Sequence, residues 1–147
     1  MKSILEFARA KHAGRSITVL TAYDAVQARL LAATPVDAIL VGDSAAMAVH
    51  GFDTTIHATV EMMRLHTAAV RRGAPEHFVI ADLPFLATRQ GRKVAVNAAG
   101  ALLQAGANAV KVEGLTGHAD VLVHLIAAGI PVMGHLGLTP QAVHQLG

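Results

Sequence analysis

The chain has 147 residues, of which 53% are apolar and 15% are charged, and its formal net charge is +2. This composition excludes a disordered chain and is enough for one domain with its own core. Its basic residues form no stripe with interleaved aromatic side chains, which disfavours nucleic-acid binding, and it has no cysteine for disulfide or thiolate chemistry. The first 14 residues do not have the apolar core of a secretory signal, and no uncharged apolar run approaches the ~20 residues of a membrane span. We therefore expect a soluble, cytoplasmic protein.

The first part of the chain is predicted to alternate between helices and strands. A short helix is predicted over residues 3–11, followed by a strand over 17–23 that is rich in β-branched residues. The next helix is predicted over residues 25–33, with Asp24 placed to cap it. A second, fully apolar strand follows over residues 38–41. A long polar loop is expected after this strand.

The same alternation continues to the end of the chain. An amphipathic helix, a strand, a helix and a strand follow in turn, and the sequence then predicts another helix, a fifth strand and the beginning of a last helix. In order, these elements are predicted over residues 59–72, 78–81, 92–105, 109–112, 119–128, 131–134 and 139–145.

Strict alternation of strands and helices predicts an α/β fold with a parallel sheet. An open doubly wound sheet and part of a (β/α)₈ TIM barrel both fit this pattern. No Gly-x-Gly-x-x-Gly follows a strand, which disfavours a dinucleotide-binding sheet, and polar residues end several successive strands, which favours the barrel. Because a complete barrel takes ~250 residues, we expect one partial barrel domain over residues 1–147, with about five β/α units.

Three acidic residues follow the apolar cores of successive predicted strands: Asp43, Asp82 and Glu113. Because parallel strands end at the same edge of a sheet, we expect these carboxylates to gather there and hold a divalent cation, with oxygen ligands favouring Mg²⁺ over zinc. Each residue has a structural alternative. Asp43 and Asp82 would serve as turn formers, and Glu113 would form an ion pair with Lys111, which lies on the same face of its strand.

Two further polar residues are placed at the same edge. His135 follows the fifth predicted strand, and Ser44 follows Asp43 directly. No Gly-x-Ser-x-Gly elbow surrounds Ser44, so we expect it to donate a hydrogen bond to a bound carboxylate or a metal-bound water, not to act as a nucleophile. Together with Lys111, these groups would hold an anionic 2-oxo acid whose carbonyl a metal polarises, which stabilises an enolate.

Six stretches of the chain carry a resemblance to a known family: TAYD at 21–24, VGDS at 41–44, HTAAVRRGA at 66–74, ADLPF at 81–85, VKVEG at 110–114 and AGIPVMGHLGLTPQ at 128–141. With these motifs, in this order over nearly its whole length, the chain resembles the ketopantoate hydroxymethyltransferases. The resemblance implies a (β/α)₈ barrel related to the isocitrate lyase and phosphoenolpyruvate mutase enzymes. It also implies assembly into a homo-oligomer, often a decamer.

The resemblance also implies roles for individual residues. Asp43 and Asp82 would be Mg²⁺ ligands, Glu113 would hold the metal or its waters, and the 2-oxo acid would contact Ser44, Asp82, Lys111 and His135. The implied reaction removes a proton from C3 of 3-methyl-2-oxobutanoate. The enolate then adds to the one-carbon unit of 5,10-methylenetetrahydrofolate, which gives 2-dehydropantoate in the pantothenate pathway.

One part of the family pattern is not found in this sequence. Members of the family are about as long as a complete barrel and carry a glutamate general base in their second half, so we expect the base beyond Gly147. Losing a positioned general base lowers a rate by ~10²–10⁴-fold, so we expect little turnover from this chain alone. Two alternatives stay open: another Mg²⁺-dependent 2-oxo-acid enzyme, which the lack of cysteine disfavours, and a non-catalytic half-barrel that serves in binding or assembly.

Overall fold

The computed structural model describes residues 3–146. Within them, five parallel strands form one sheet in chain order: β1 Val19–Thr21, β2 Ala38–Val41, β3 Phe78–Asp82, β4 Ala109–Glu113 and β5 Val132–His135. The α-helices of the same residues are α1 Ile4–His12, α2 Ala25–Ala32, α3 Ala45–Ala48, α4 Val60–Gly73, α5 Arg92–Gln104, α6 Ala119–Ala127 and α7 Val143–Leu146. Short 3₁₀ helices form at Thr55–His57 and Pro140–Ala142. None of the helices formed by residues 3–146 combines the length and apolar character that a membrane span requires.

The strand order decides between the two architectures. Each strand pairs in parallel with the next strand of the chain, from β1 to β5. A doubly wound sheet reverses its order at a switch point, whereas neighbouring strands of a barrel follow the chain. The structure therefore confirms the predicted α/β fold as part of a (β/α)₈ barrel.

Both faces of the central strands are buried, which explains why β2 is apolar throughout and why β3 is apolar up to its last residue. Val79 and Val110 belong to the larger core between the sheet and the helices. Phe78 and Ile80 alternate with them and form a smaller cluster on the other face. There the ring of Phe7 from α1 packs edge-on against Phe78, with ring centroids 5.0 Å apart. Helix α1 therefore covers the inner face of the sheet near the start of the strands.

The predicted elements are found, although the strand predicted over residues 17–23 covers only Val19–Thr21, and two further differences are informative. Strands β3, β4 and β5 each extend one residue further than predicted, so Asp82, Glu113 and His135 are the last residues of strands and do not begin the loops. The strand hydrogen bonds therefore hold these residues in place. The long loop expected after β2 contains helix α3 and a 3₁₀ helix, so that expectation was wrong. A four-residue helix is too short to show an apolar period in the sequence.

Arg71, in the last turn of α4, joins three segments at the end of the sheet where the strands begin. Its guanidinium donates hydrogen bonds to the carbonyl oxygens of Pro75 (2.9 Å), His77 (2.8 Å) and Gly106 (2.7 Å), and to Oδ1 of Asn108 (2.6 Å). The same Asn108 oxygen accepts a bond from the amide of Val79 in β3. One side chain thereby fixes the connections that lead into β3 and β4.

The substitution Arg71→Met should lower the free energy of unfolding by about 2–3 kcal/mol, because several part-buried oxygens would lose their donor. Urea denaturation measures the change. Arg72→Met is the matched control, since Arg72 is the next residue and is exposed, and we expect it to change stability by less than ~0.5 kcal/mol. Equal losses in the two variants would show that the Arg71 hydrogen bonds do not stabilise the fold.

Candidate active site

The predicted site residues lie along the edge where the parallel strands end. Asp43 follows β2, and Asp82, Glu113 and His135 close the next three strands. In the strand register, Asp82 is paired with Lys111 and Glu113 with His135. Asp43 and Asp82 are each only 3% exposed. The structure thus brings the acidic residues and Lys111 to one buried region, with His135 at its part-exposed edge.

Asp43 and Asp82 are in direct contact. The backbone amide of Asp43 donates to Oδ2 of Asp82 at 3.1 Å. The side-chain amide of Gln141 donates to Oδ2 of Asp43 at 2.7 Å and to the carbonyl oxygen of Leu83 at 3.0 Å. Gln141 thereby ties the segment after β5 to the ends of β2 and β3.

Lys111 is the cation among the buried carboxylates. Its Nζ lies 3.1 Å from Oδ1 of Asp82 and 3.5 Å from Oε1 of Glu113. Glu113 also accepts hydrogen bonds from Nδ1 of His135 (3.1 Å) and from the backbone amide of Gln141 (3.1 Å). Oδ1 of Asp82 is buried and accepts no aligned hydrogen bond, since its contact with Lys111 is an ion pair without hydrogen-bond geometry. The ion pair with Lys111 therefore leaves the hydrogen-bonding capacity of this oxygen unused.

Both buried aspartates have raised pKa values. Burial raises the pKa of Asp82 to about 7, and the nearby Asp43 charge adds to this effect, while the ammonium of Lys111 opposes it. Burial is also the largest cause that raises the pKa of Asp43. The hydrogen bond from Gln141 lowers this pKa, and the charge of Glu113 raises it. Burial is the largest cause of both shifts and the neighbouring carboxylate charges add to it, so a cation bound between the two groups would favour their ionised forms.

The donor set fits Mg²⁺ in its chemistry, because Asp43 and Asp82 supply hard carboxylate oxygens and the backbone amide of Asp43 contacts the Asp82 carboxylate. Within residues 3–146, however, no three histidine, aspartate or glutamate side chains surround one point closely enough to hold a metal ion. Glu113 is engaged by Lys111, His135 and Gln141. The ligand set Asp43, Asp82 and Glu113 therefore remains a prediction.

Ser44 is oriented by a residue that follows the neighbouring strand, β1. The hydroxyls of Ser44 and Tyr23 lie 2.8 Å apart, and Tyr23 follows β1. A Cβ at Gly42 would lie 2.6 Å from Oγ of Ser44 and 3.8 Å from Oδ2 of Asp82. A side chain at position 42 would therefore displace the Ser44 hydroxyl.

The contacts of Gln141 with Asp43 and of Tyr23 with Ser44 were not predicted from individual residues. Gln141 and Tyr23 both fall within the family-like stretches, at 128–141 and 21–24, but neither has a spacing that marks it as part of a site. Gln141 is separated from Asp43 by 98 residues, so only the folded chain brings the two together.

A cavity of about 480 Å³ opens beside Glu113 and Gln141. Phe85 and Leu115 give it apolar walls, and Arg89 lies at its side, where it donates a hydrogen bond to the carbonyl oxygen of Thr116 at 3.0 Å. This volume is typical of small-molecule sites. The candidate site therefore has both buried charged groups and an adjoining space for a ligand.

The sequence matches the profile of the ketopantoate hydroxymethyltransferase family over residues 1–147. The chain belongs to this family. It is 52% identical over 145 residues to the 3-methyl-2-oxobutanoate hydroxymethyltransferase of Legionella pneumophila (strain Lens), with 98% of this chain and 55% of the relative covered. Identity to the protein of the same name from Bdellovibrio bacteriovorus is 49% over 147 residues, with 100% and 56% covered. This ketopantoate hydroxymethyltransferase homologue thus spans about half the length of the curated relatives it matches.

Solved structures with low sequence identity confirm the barrel fold of this family member. The 2,3-dimethylmalate lyase, a member of the PEP mutase/isocitrate lyase superfamily, superposes with a TM-score of 0.65 at 20% identity, over 91% of this chain and 52% of that chain. Oxaloacetate acetylhydrolase in complex with oxalate gives a TM-score of 0.65 at 13% identity, over 97% and 55%. At these identities the likeness concerns the fold alone.

Proposed function

We propose that this chain serves the transfer of a hydroxymethyl group from 5,10-methylenetetrahydrofolate to 3-methyl-2-oxobutanoate, which gives 2-dehydropantoate for pantothenate synthesis. The observation that carries the proposal is the buried contact between Asp43 and Asp82 beside the ammonium of Lys111. It occurs in a chain whose relatives are named 3-methyl-2-oxobutanoate hydroxymethyltransferases. A 2-oxo acid needs both a cation for its oxygens and donors for its carboxylate, and this arrangement would supply them.

In this proposal, Asp43 and Asp82 hold Mg²⁺, and Glu113 holds the metal or its waters. When bound, Mg²⁺ supplies polarisation of the substrate carbonyl and stabilisation of the enolate. The buried Oδ1 of Asp82, which accepts no hydrogen bond and has only the ion pair with Lys111, supports this assignment. A bound cation would stabilise the ionised form of both aspartates.

The remaining groups bind and orient the substrate. Lys111 offers a positive charge that Asp82 and Glu113 hold in place, and Glu113 orients His135 through Nδ1. Ser44 offers a hydroxyl positioned by Tyr23. We assign the general base for the C3 proton to none of residues 3–146.

We also propose that the chain works as a homo-oligomer. Large apolar side chains on the outer surface support this, among them Leu30 on α2 and Val123 and Ile126 on α6, which are 67%, 66% and 60% exposed. Apolar surface of this kind is often covered in assemblies.

The proposal is tested by calorimetric titration of the chain with 3-methyl-2-oxobutanoate in the presence and absence of Mg²⁺. We expect binding that requires Mg²⁺, and a loss of affinity of at least ~10-fold in Asp43→Asn and Asp82→Asn, because each removes a charge that holds the metal. Asp120→Asn is the matched control, since Asp120 pairs with Arg92 at an exposed position on α6. Equal affinity with and without Mg²⁺, or equal losses in all three variants, would overturn the proposal.

A further inference from the structure

Two histidines, His50 and His66, contact each other, and His66 also contacts the backbone of Tyr23. Nε2 of His50 and Nε2 of His66 are 2.9 Å apart, and the two rings are nearly perpendicular, with centroids separated by 5.1 Å. His66 is half-buried on α4, whereas His50 is exposed and lies just after α3. The proposed function uses neither of them.

The proton positions on the His66 ring follow from its hydrogen bonds. Nδ1 of His66 lies 2.7 Å from the carbonyl oxygen of Tyr23. A carbonyl oxygen only accepts, so Nδ1 carries the hydrogen, and in the neutral ring Nε2 then presents a lone pair. His50 completes the contact by donating its own Nε2–H to that lone pair.

We propose that His50 and His66 form a binding site for a divalent transition-metal ion, for which Zn²⁺ is the probe. Imidazole nitrogens favour Zn²⁺, Ni²⁺ and Cu²⁺, whereas Mg²⁺ prefers the carboxylate oxygens of Asp43 and Asp82. Histidines that bind metals typically donate their other ring N–H to a carboxylate or a backbone carbonyl, which fixes the ring and its tautomer. His66 already makes this bond to Tyr23.

Metal binding requires the two nitrogens to move slightly further apart and the rings to turn so that both lone pairs meet at one point. With Zn–N bonds of about 2.0–2.1 Å in a tetrahedral site, the two nitrogens would be about 3.3 Å apart, about 0.4 Å further than here. His50 is exposed, so its side chain can make this adjustment. Its proton moves from Nε2 to Nδ1 through water, so the neutral pair binds the ion without net release of a proton.

Water completes the coordination in this proposal. Within the described part of the chain, no third histidine, aspartate or glutamate joins the pair to make a three-ligand group. The exposure of His50 leaves room for water at the open positions. The ion is therefore expected to bind reversibly and to exchange with solvent.

The experiment is calorimetric titration of the chain with Zn²⁺ in excess Mg²⁺, which competes for the carboxylates. We expect one Zn²⁺ per chain whose affinity falls at least ~10-fold in His50→Gln, because a metal ligand is lost and the glutamine amide still offers a donor to His66. His124→Ala is the matched control, since His124 is exposed on α6, away from the pair. The Asp82→Asn variant should retain the Zn²⁺ affinity of the unmodified chain.

Each outcome decides the proposal independently of the proposed function. No saturable Zn²⁺ binding, or equal affinity in His50→Gln and His124→Ala, would overturn it. Loss of Zn²⁺ in Asp82→Asn with full binding in His50→Gln would place the ion at the carboxylates and overturn it as well. Titration with Co²⁺ gives a second readout, because imidazole coordination changes its visible absorption, and that change should disappear in His50→Gln. Binding of 3-methyl-2-oxobutanoate plays no part in these measurements, so failure of the proposed function would be recognised separately.

Discussion

Replacing Lys111 with methionine should lower the free energy of unfolding by about 3–5 kcal/mol at pH 8, because it leaves buried carboxylates without their cation. Lys111 is 9% exposed. Its Nζ lies 3.1 Å from Asp82 and 3.5 Å from Glu113. Urea denaturation measures the loss. Lys93→Met is the matched control, since Lys93 is exposed on α5 and its replacement should change stability by less than ~0.5 kcal/mol.

The size of this loss should depend on pH in a defined direction. Burial raises the pKa of Asp82 from its ordinary value of 3.8 to about 7 in the folded chain. The folded state therefore holds this proton more tightly than the unfolded state does, so the stability it provides is present at acidic pH and is lost as the pH rises toward 7. In Lys111→Met the decline should continue to higher pH, since without the ammonium the pKa of Asp82 is raised further. The difference in the free energy of unfolding between Lys111→Met and the unmodified chain should thus shrink from pH 8 to pH 5. A difference that grows toward acidic pH would contradict this account.

Replacing Gly73 with alanine should destabilise the chain by about 1–3 kcal/mol, although alanine is the better helix former. Gly73 ends α4 where α2 crosses it closely. A Cβ at this position would overlap with the carbonyl oxygen of Ala25 and would lie 2.8 Å from Cβ of Ala28. Neither the Ala25 carbonyl oxygen nor the Ala28 Cβ can rotate away, so α2 and α4 would have to move apart.

The matched control for Gly73→Ala is the same change at Gly100. Gly100 lies within α5, and a Cβ there would meet nothing within 4 Å. Gly100→Ala should therefore be neutral or stabilise the chain by up to ~1 kcal/mol through helix propensity alone. Thermal and urea unfolding of the two variants should show changes of opposite sign. A stabilised Gly73→Ala variant would show that the contact between α2 and α4 is looser than the structure indicates.

The fold could be predicted from the sequence because its signals are local and repeated. Strand β2 was predicted over the residues that form it, since four apolar residues between polar neighbours leave little choice of boundary. The carboxylates could be assigned to one edge because parallel strands joined by helices all end on the same side. Strand order did not follow from these signals. The pairing of each strand with the next one, which separates the barrel from the doubly wound sheet, is a property of the assembled sheet.

The identity of the polar residues at the strand ends, and their common edge, could be derived from apolar runs and the alternation of elements. Their contacts could not. The position of Lys111 between Asp82 and Glu113, the bond from Gln141 to Asp43 and the pairing of His50 with His66 join residues of different elements. Sequence patterns record the period of one helix or strand, whereas these contacts depend on how separate elements pack, and packing is set by the whole chain at once.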